Sequence, residues 1–227
     1  MTARVGDGAE IVGLCFHGIG TPARFLETDA ADYFITRDLF LALLDRVMNI
    51  AGVDLTFDDG YASDLEIALP ALTDRGLSAT FFPLAGRLDT PGHVSAEGVR
   101  KLADTGMQIG SHGMRHRSWR GLDAAAGDEE LAIARDVIAR ACGRPVTKAA
   151  IPFGDYDRRT LAALRRAEYA QVFTSDRRRA GPGEWLQPRY SVQRDDTIQT
   201  VQDKILAPRP WRERMRAGLA SQVKALR

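Results

Sequence analysis

Strand-like and helix-like segments alternate along most of this 227-residue chain. Short runs rich in β-branched and aromatic residues predict seven strands. They lie at residues 11–16, 53–57, 78–84, 107–111, 148–153, 170–175 and 190–192. Between them, apolar residues recur at helical spacing, as in helices that bury one face. This order predicts an α/β fold with parallel strands, and seven strands favour a distorted (β/α) barrel over the alternative, an open sheet.

The chain is predicted to contain one domain between two terminal segments. Residues 1–10 are polar and form a tail, residues 11–203 form the barrel, and residues 204–227 form a basic amphipathic helix. That last segment carries seven Lys and Arg residues against one Glu. Such a helix either lies on an anionic membrane surface or docks on the barrel with its basic face in water.

The charge balance and the targeting signals of the sequence bear on the expected cellular location and binding partners. Lys and Arg number 31 against 30 Asp and Glu, and no basic stripe interleaved with aromatics occurs before residue 204, so no nucleic-acid partner is predicted. The sequence shows neither an export signal nor an apolar run long enough to span a bilayer. We therefore expect a cytoplasmic protein, with the helix of residues 204–227 as the candidate contact to the inner face of the membrane.

Two adjacent carboxylates follow the second predicted strand, in the sequence TFDDG. Asp58 and Asp59 would be solvated turn residues if Gly60 merely completed a turn. In parallel α/β folds, however, the carboxyl ends of the strands form the active face. Their position at the end of a predicted strand favours a role in an active site for both aspartates.

Two histidines follow the fourth predicted strand, in the sequence SHGMRH. His112 and His116 are four residues apart, a spacing that lets both imidazoles face one point from a helical turn. Such a pair also arises by chance. A carboxylate from TFDDG would complete a two-His, one-carboxylate metal site, and the combination favours metal binding.

Three motifs in order give the chain a specific resemblance. TFDDGY, SHGMRH and AIPFGDYD are similar to the motifs of the polysaccharide deacetylase family, also called carbohydrate esterase family 4 or the NodB-homology domain. The resemblance covers roughly residues 11–195. It is closest to the branch that contains the poly-N-acetylglucosamine deacetylases, in which a histidine segment like LCFHG precedes the first motif.

The resemblance implies a NodB-type barrel and a metal-dependent hydrolase of amide bonds. Asp59, His112 and His116 would bind one divalent ion, most often zinc, with cobalt or nickel as alternatives. Asp58 would be the general base that takes a proton from the attacking water. The expected reaction removes N-acetyl groups from an amino-sugar polysaccharide or from a lipid-linked glycan precursor.

The resemblance also assigns supporting roles around the reaction. In the third motif, the backbone N–H of Phe153 would stabilise the oxyanion, and Pro152 would border the substrate. His17 is the candidate acid for the leaving amine, or else a histidine that plugs one end of the barrel. Trp185 is a candidate sugar-stacking platform, or else a core residue.

Two departures from the family pattern bear on activity. Ala150 stands where the third motif often has an Arg that orients the base, and Arg189 is the candidate replacement unless it is a surface residue. Gly113 replaces the usual Ser or Thr after the first motif histidine, which removes a hydroxyl that supports the loop. These departures keep open the alternative of a catalytically silent glycan-binding or scaffold relative.

Overall fold

The computed structural model describes residues 10–22, 28–181 and 183–207. Within these residues seven strands form one parallel sheet. They are β1 Val12–Phe16, β2 Val53–Asp59, β3 Thr80–Pro83, β4 Gln108–Ile109, β5 Lys148–Ala150, β6 Gln171–Thr174 and β7 Leu186–Ser191. Each overlaps one predicted run, although β7 begins at Leu186 rather than at 190.

The sheet curls into a nearly closed barrel with the strand order β4-β3-β2-β1-β7-β6-β5. All paired neighbours are parallel. Just beyond β4, the N–H of Ser111 donates to the carbonyl of Lys148 at 2.9 Å, and Ser111 accepts from the N–H of Ala150 at 2.9 Å. These bonds link the two ends of the sheet, so the predicted distorted (β/α) barrel is confirmed.

Helices lie in the parallel crossovers from β1 through β6, while the described residues between β6 and β7 contain no helix. The described residues contain α1 Arg37–Val47, α2 Leu69–Asp74, α3 Ala96–Asp104, α4 Ala124–Asp128, α5 Ala134–Cys142, α6 Arg158–Arg166 and α7 Ile198–Val201. Single π-helical turns precede α2, join α4 to α5 and follow α7. The side chains of Thr36 and Ser95 cap α1 and α3, and Gly143 ends α5 in the left-handed conformation.

Residues of β2 alternate between two environments, which places the site. Leu55 and Phe57 pack in the apolar cluster that α1 covers, and the ring of Phe57 stacks on that of Phe81 at 4.6 Å. Because successive side chains of a strand point to opposite faces, Thr56 and Asp58 face the barrel interior. The last strand residues therefore bring carboxylates to the carboxyl end of the barrel.

The terminal segments lie largely outside this description. Of the predicted tail only Glu10 is described. At the other end a π-helical turn, Gln202–Leu206, crosses the predicted boundary at 204, and Ala207 adopts an extended conformation. The rest of the predicted amphipathic helix, 208–227, is outside the described residues. Among the helices described, none has the length and apolar character needed to cross a membrane.

Candidate active site

A cavity of about 480 Å³ opens at the carboxyl end of the barrel. The structure brings six of the nine predicted site residues to its wall: His17 after β1, Asp58 and Asp59 at the end of β2, His112 and His116 after β4, and Phe153 after β5. Strand ends that are distant in sequence therefore converge on one pocket.

Asp59, His112 and His116 surround one buried point. The Nε2 atoms of both histidines lie 3.4 Å from Oδ1 of Asp59, and the three candidate ligand atoms lie within 4.8 Å of one another. Within the described part of the chain, Oδ1 of Asp59 is buried and has no hydrogen-bond partner. A buried carboxylate oxygen without a donor is costly, and a cation between it and two imidazoles would satisfy it. The donor set thus fits a divalent ion.

Hydrogen bonding and burial prepare His112 as a ligand. Its Nδ1 lies 2.8 Å from the carbonyl of Ala150, which can only accept, so the proton resides on Nδ1 and the Nε2 lone pair faces Asp59. Burial lowers the pKa of His112 despite the nearby charges of Asp58 and Asp59. The imidazole is therefore held in the neutral form that binds metals.

The loop after β4 is not helical, contrary to the helical turn expected from the spacing of the two histidines. Residues 112–118 contain no helix, and the chain turns through positive φ angles of 87° at Gly113 and 52° at His116. Asp59 and Phe153, at φ 73° and 58°, share this uncommon conformation. Left-handed backbone in non-glycine residues is found preferentially at functional sites.

Arg189 holds the second carboxylate of TFDDG. Its Nη1 and Nη2 donate to Oδ1 and Oδ2 of Asp58 at 2.7 Å each, and Nη1 also donates to the Thr56 hydroxyl at 3.0 Å. Burial raises the pKa of Asp58, but the Arg189 guanidinium outweighs it and holds that pKa well below its usual range. From β7, Arg189 reaches the carboxylate of Asp58, and it is buried rather than at the surface.

His17 contributes an imidazole to the same cavity. Its ring packs against Tyr33 at 4.7 Å, and within the described residues its Nδ1 is buried without a hydrogen-bond partner. Burial lowers the pKa of His17, although the charges of Asp59 and Asp58 act in the opposite direction. The imidazole is neutral near pH 7 and must take up a proton before it can donate one.

The third motif places Phe153, but not Pro152, at the cavity. Phe153 is 63% exposed, and its ring lies 4.5 Å from that of His116. Pro152 is buried beneath the turn, and its neighbour Ile151 lines the cavity instead. The prediction that Pro152 contacts substrate is therefore not supported by its position.

Trp185 is not a platform at this cavity. It precedes β7 and so lies at the amino end of that strand, away from the site. Its indole N–H donates to the carbonyl of Tyr169 at 2.8 Å, and the guanidinium of Arg165 lies 4.0 Å above its ring. The substrate-binding role predicted for Trp185 is corrected to a packing role.

Sequence reasoning missed several residues that line the cavity. Ser175 and Ser191 come at or after the ends of β6 and β7, so the rule of strand ends would have found them. Tyr33 ends a short 3-10 helix and Arg177 lies in a loop, and the sequence does not disclose the path of either segment. The buried Glu130, behind the histidine loop, gave no signal because its partners are more than ten residues away along the chain.

A (β/α) barrel with two imidazoles around a buried carboxylate, beside an arginine-paired aspartate, defines a class of proteins with a candidate metal centre at the carboxyl ends of the strands. The sequence identifies the family within this class. The family model of polysaccharide deacetylase matches residues 47–172, more than half of the chain. The chain belongs to the polysaccharide deacetylase family, which confirms the resemblance of its motifs.

A curated relative supports this membership. YxkH of Bacillus subtilis (strain 168), assigned to the polysaccharide deacetylases, is 28% identical over 122 residues. The match covers 54% of this chain and 44% of the relative. The chain therefore matches less than half the length of that protein.

Solved structures share the fold. The deacetylase PplD of Streptococcus pyogenes, in complex with acetate, has a TM-score of 0.77 and 18% identity over 88% of this chain and 100% of that chain. IcaB from Ammonifex degensii has a TM-score of 0.69 and 22% identity, and the match covers 86% of this chain and 94% of that chain. A polysaccharide deacetylase from Bacillus cereus has a TM-score of 0.77 and 18% identity, and the match covers 87% of this chain and 69% of that chain. At these identities the matches bear on the fold alone.

Proposed function

We propose that the protein is a metal-dependent hydrolase that removes N-acetyl groups from an amino-sugar-containing polysaccharide or glycan precursor. One observation carries the proposal: the buried Oδ1 of Asp59, without a donor among the described residues, lies 3.4 Å from two imidazole nitrogens and beside the ionised Asp58. Family membership supplies the class of bond that this arrangement would cleave.

Asp59, His112 and His116 would hold the ion, and a set of two nitrogens and one oxygen suits zinc, with cobalt or nickel as alternatives. When bound, such an ion polarises a carbonyl and makes water more acidic. Asp58 would accept the proton of the water that adds to the amide carbon, because its pairing with Arg189 keeps it ionised at neutral pH.

The remaining groups would complete the hydrolysis. His17 lines the cavity with an unpartnered Nδ1, so after protonation it can give a proton to the departing amine. The backbone N–H of Phe153 is the proposed donor to the oxyanion, from a turn at the cavity wall. The C–N bond then breaks, and acetate and a free amino sugar are the products.

We expect purified wild type to contain about one divalent ion per chain, and His112→Ala to contain almost none, because the variant loses one of three protein ligands. Elemental mass spectrometry measures both. His93→Ala is the matched control, since His93 lies outside the cluster and stacks on Tyr61. Acetate released from oligomers of N-acetylglucosamine then reports activity.

The same experiment separates the two functions that the sequence leaves open. Ion binding together with acetate release supports the hydrolase. Ion-free protein after incubation with zinc, cobalt and nickel contradicts it and favours a glycan-binding relative without catalysis. The positions of the two departures favour the hydrolase, because Arg189 pairs with Asp58 and Glu130 bonds the loop beside Gly113.

We further propose a cytoplasmic location and a lipid-linked glycan precursor as substrate. Charge at the cavity supports an anionic substrate: the side chain of Arg177 is exposed, lines the cavity and makes no hydrogen bond or ion pair within the described residues. The neighbouring Arg178 and Arg179 are engaged by Glu184 and by backbone carbonyls. The basic sequence of 208–227 suits the surface of an anionic membrane.

Removal of residues 208–227 is expected to abolish binding to vesicles that contain anionic lipid, because most of the basic charge of the terminal segment is lost. Flotation with phosphatidylglycerol vesicles measures this, and neutral phosphatidylcholine vesicles are the control. Equal flotation of wild type and the truncated protein would contradict the membrane contact and leave the proposed hydrolase unaffected.

A further inference from the structure

A buried carboxylate lies behind the loop that carries both histidines. Glu130 is fully buried on the π-helical turn between α4 and α5. Its Oε2 accepts from the backbone N–H of Met114 at 2.7 Å and of Arg115 at 3.4 Å, and from the indole N–H of Trp119 at 3.4 Å. Its Oε1 accepts from Nε of Arg117 at 2.9 Å. One side chain thus binds four donors of a single loop.

These contacts replace the support that regular secondary structure would give. The backbone N–H groups of Met114 and Arg115 lie between His112 and His116, in a stretch without helix or strand. Left without acceptors, such groups would turn toward water and change the path of the loop. The carboxylate of Glu130 therefore fixes the segment that sets the separation of the two imidazoles.

The position of the Glu130 carboxylate requires a glycine at position 113. A Cβ atom on Gly113 would lie 2.4 Å from Oε2 of Glu130 and 3.1 Å from the ring of Trp119. The backbone at Gly113, with φ 87°, also disfavours any other residue. The carboxylate occupies the space beside this glycine, so the missing side chain at 113 and the buried acid at 130 depend on each other.

We propose that Glu130 is a positioning residue that holds the His112–His116 loop in its metal-binding conformation and so sets the affinity for the ion. The inference rests on the metal site of the proposed function. Glu130 does not contact the cavity; it acts through the backbone between the two ligands. Partners of this kind typically change metal affinity by one to two orders of magnitude.

Glu130→Gln tests the inference, because it keeps the size of the side chain and replaces one acceptor oxygen by a donor. We expect the zinc dissociation constant to rise about 10–100-fold, measured by competition with a chromophoric chelator. The visible spectrum of the cobalt-substituted protein should change as well, since it reports ligand geometry. Neither readout depends on turnover.

Glu129→Gln is the matched control on the same turn. Glu129 pairs at the surface with the side chains of Arg115 and Arg117, and makes no contact with the backbone between the histidines. Its substitution should leave zinc affinity and the cobalt spectrum unchanged. Circular dichroism of the metal-free proteins establishes that each variant is folded.

A second substitution keeps the test decisive if Glu130→Gln does not fold. Gly113→Ala inserts the conflicting Cβ against an intact Glu130 and should weaken zinc binding in the same range, with the same spectral change. A folded Glu130→Gln protein with wild-type affinity and spectrum would overturn the inference, as would an unaffected Gly113→Ala. Wild type that binds no ion would instead overturn the proposed function.

Discussion

Asp58→Asn is expected to lower kcat for release of acetate from N-acetylglucosamine oligomers by about 10²–10⁴-fold, with KM nearly unchanged. The amide of Asn cannot accept the proton that the ionised carboxylate accepts, although it occupies the same volume. Ion content should stay near the wild-type level, because the three candidate ligand atoms belong to Asp59, His112 and His116. Steady-state kinetics and elemental mass spectrometry measure the two quantities on one preparation.

Asp54→Asn is the matched control, because it makes the same change at the exposed start of β2, far from the cavity. It should leave both quantities unchanged. Asp58→Asn also removes a charge that faces Arg189, so the assay is run well below the unfolding temperature of each variant. Turnover by folded Asp58→Asn at more than a tenth of the wild-type rate would contradict the role of Asp58 as base.

The parallel fold explains why much of the site was predictable from the sequence. Once strands and helices alternate, every strand must end at the same face, so Asp59 and His112 had to converge although 53 positions separate them. The motif spacing added the second histidine. It gave the wrong local conformation, because a loop with left-handed residues, and not a helix, brings His116 to the same point.

Trp185 was misplaced because the extent of a strand decides which end a residue occupies. The apolar run predicted a strand over 190–192, which would leave Trp185 in a preceding loop of undefined position. The observed β7 begins at Leu186. Its first half contains Gln187 and Arg189, two polar residues that are buried inside the barrel. Alternation rules read such residues as exposed, so a strand with a polar interior face escapes them.

Glu130 and Arg189 show a related limit of sequence reasoning. Each is a buried charge whose partners come from another element: the loop after β4 for Glu130, and β2 for Arg189. The cost of removing a charge from water is offset only where those partners are in place. Local pattern contains no record of these partners: the family resemblance suggested Arg189 beside the base, and the contacts of Glu130 are visible only in the folded chain.

Arg189→Met is expected to lower the free energy of unfolding by about 3–5 kcal/mol, measured by urea denaturation at pH 7 in the presence of a chelator. Methionine fills much of the space between the rings of Phe82 and Phe173, but it leaves the carboxylate of Asp58 buried without its bidentate partner. Arg194→Met is the control, because Arg194 pairs with Asp32 at the surface and should cost less than about 1 kcal/mol.

The pH dependence of this loss follows from the two directions in which the pKa of Asp58 is shifted. In wild type the folded pKa is lowered, so the contribution of Asp58 to stability is present above its unfolded pKa of about 4 and is lost as the pH falls toward the folded value. Without Arg189, burial is the largest remaining influence and raises the pKa of Asp58, opposed only by His112 and His17, so the variant is stabilised by protonation as the pH falls. The difference in unfolding free energy between wild type and Arg189→Met should therefore be smaller at pH 4.5 than at pH 7. A difference that is constant or grows toward acid pH would contradict the pairing of Arg189 with an ionised Asp58.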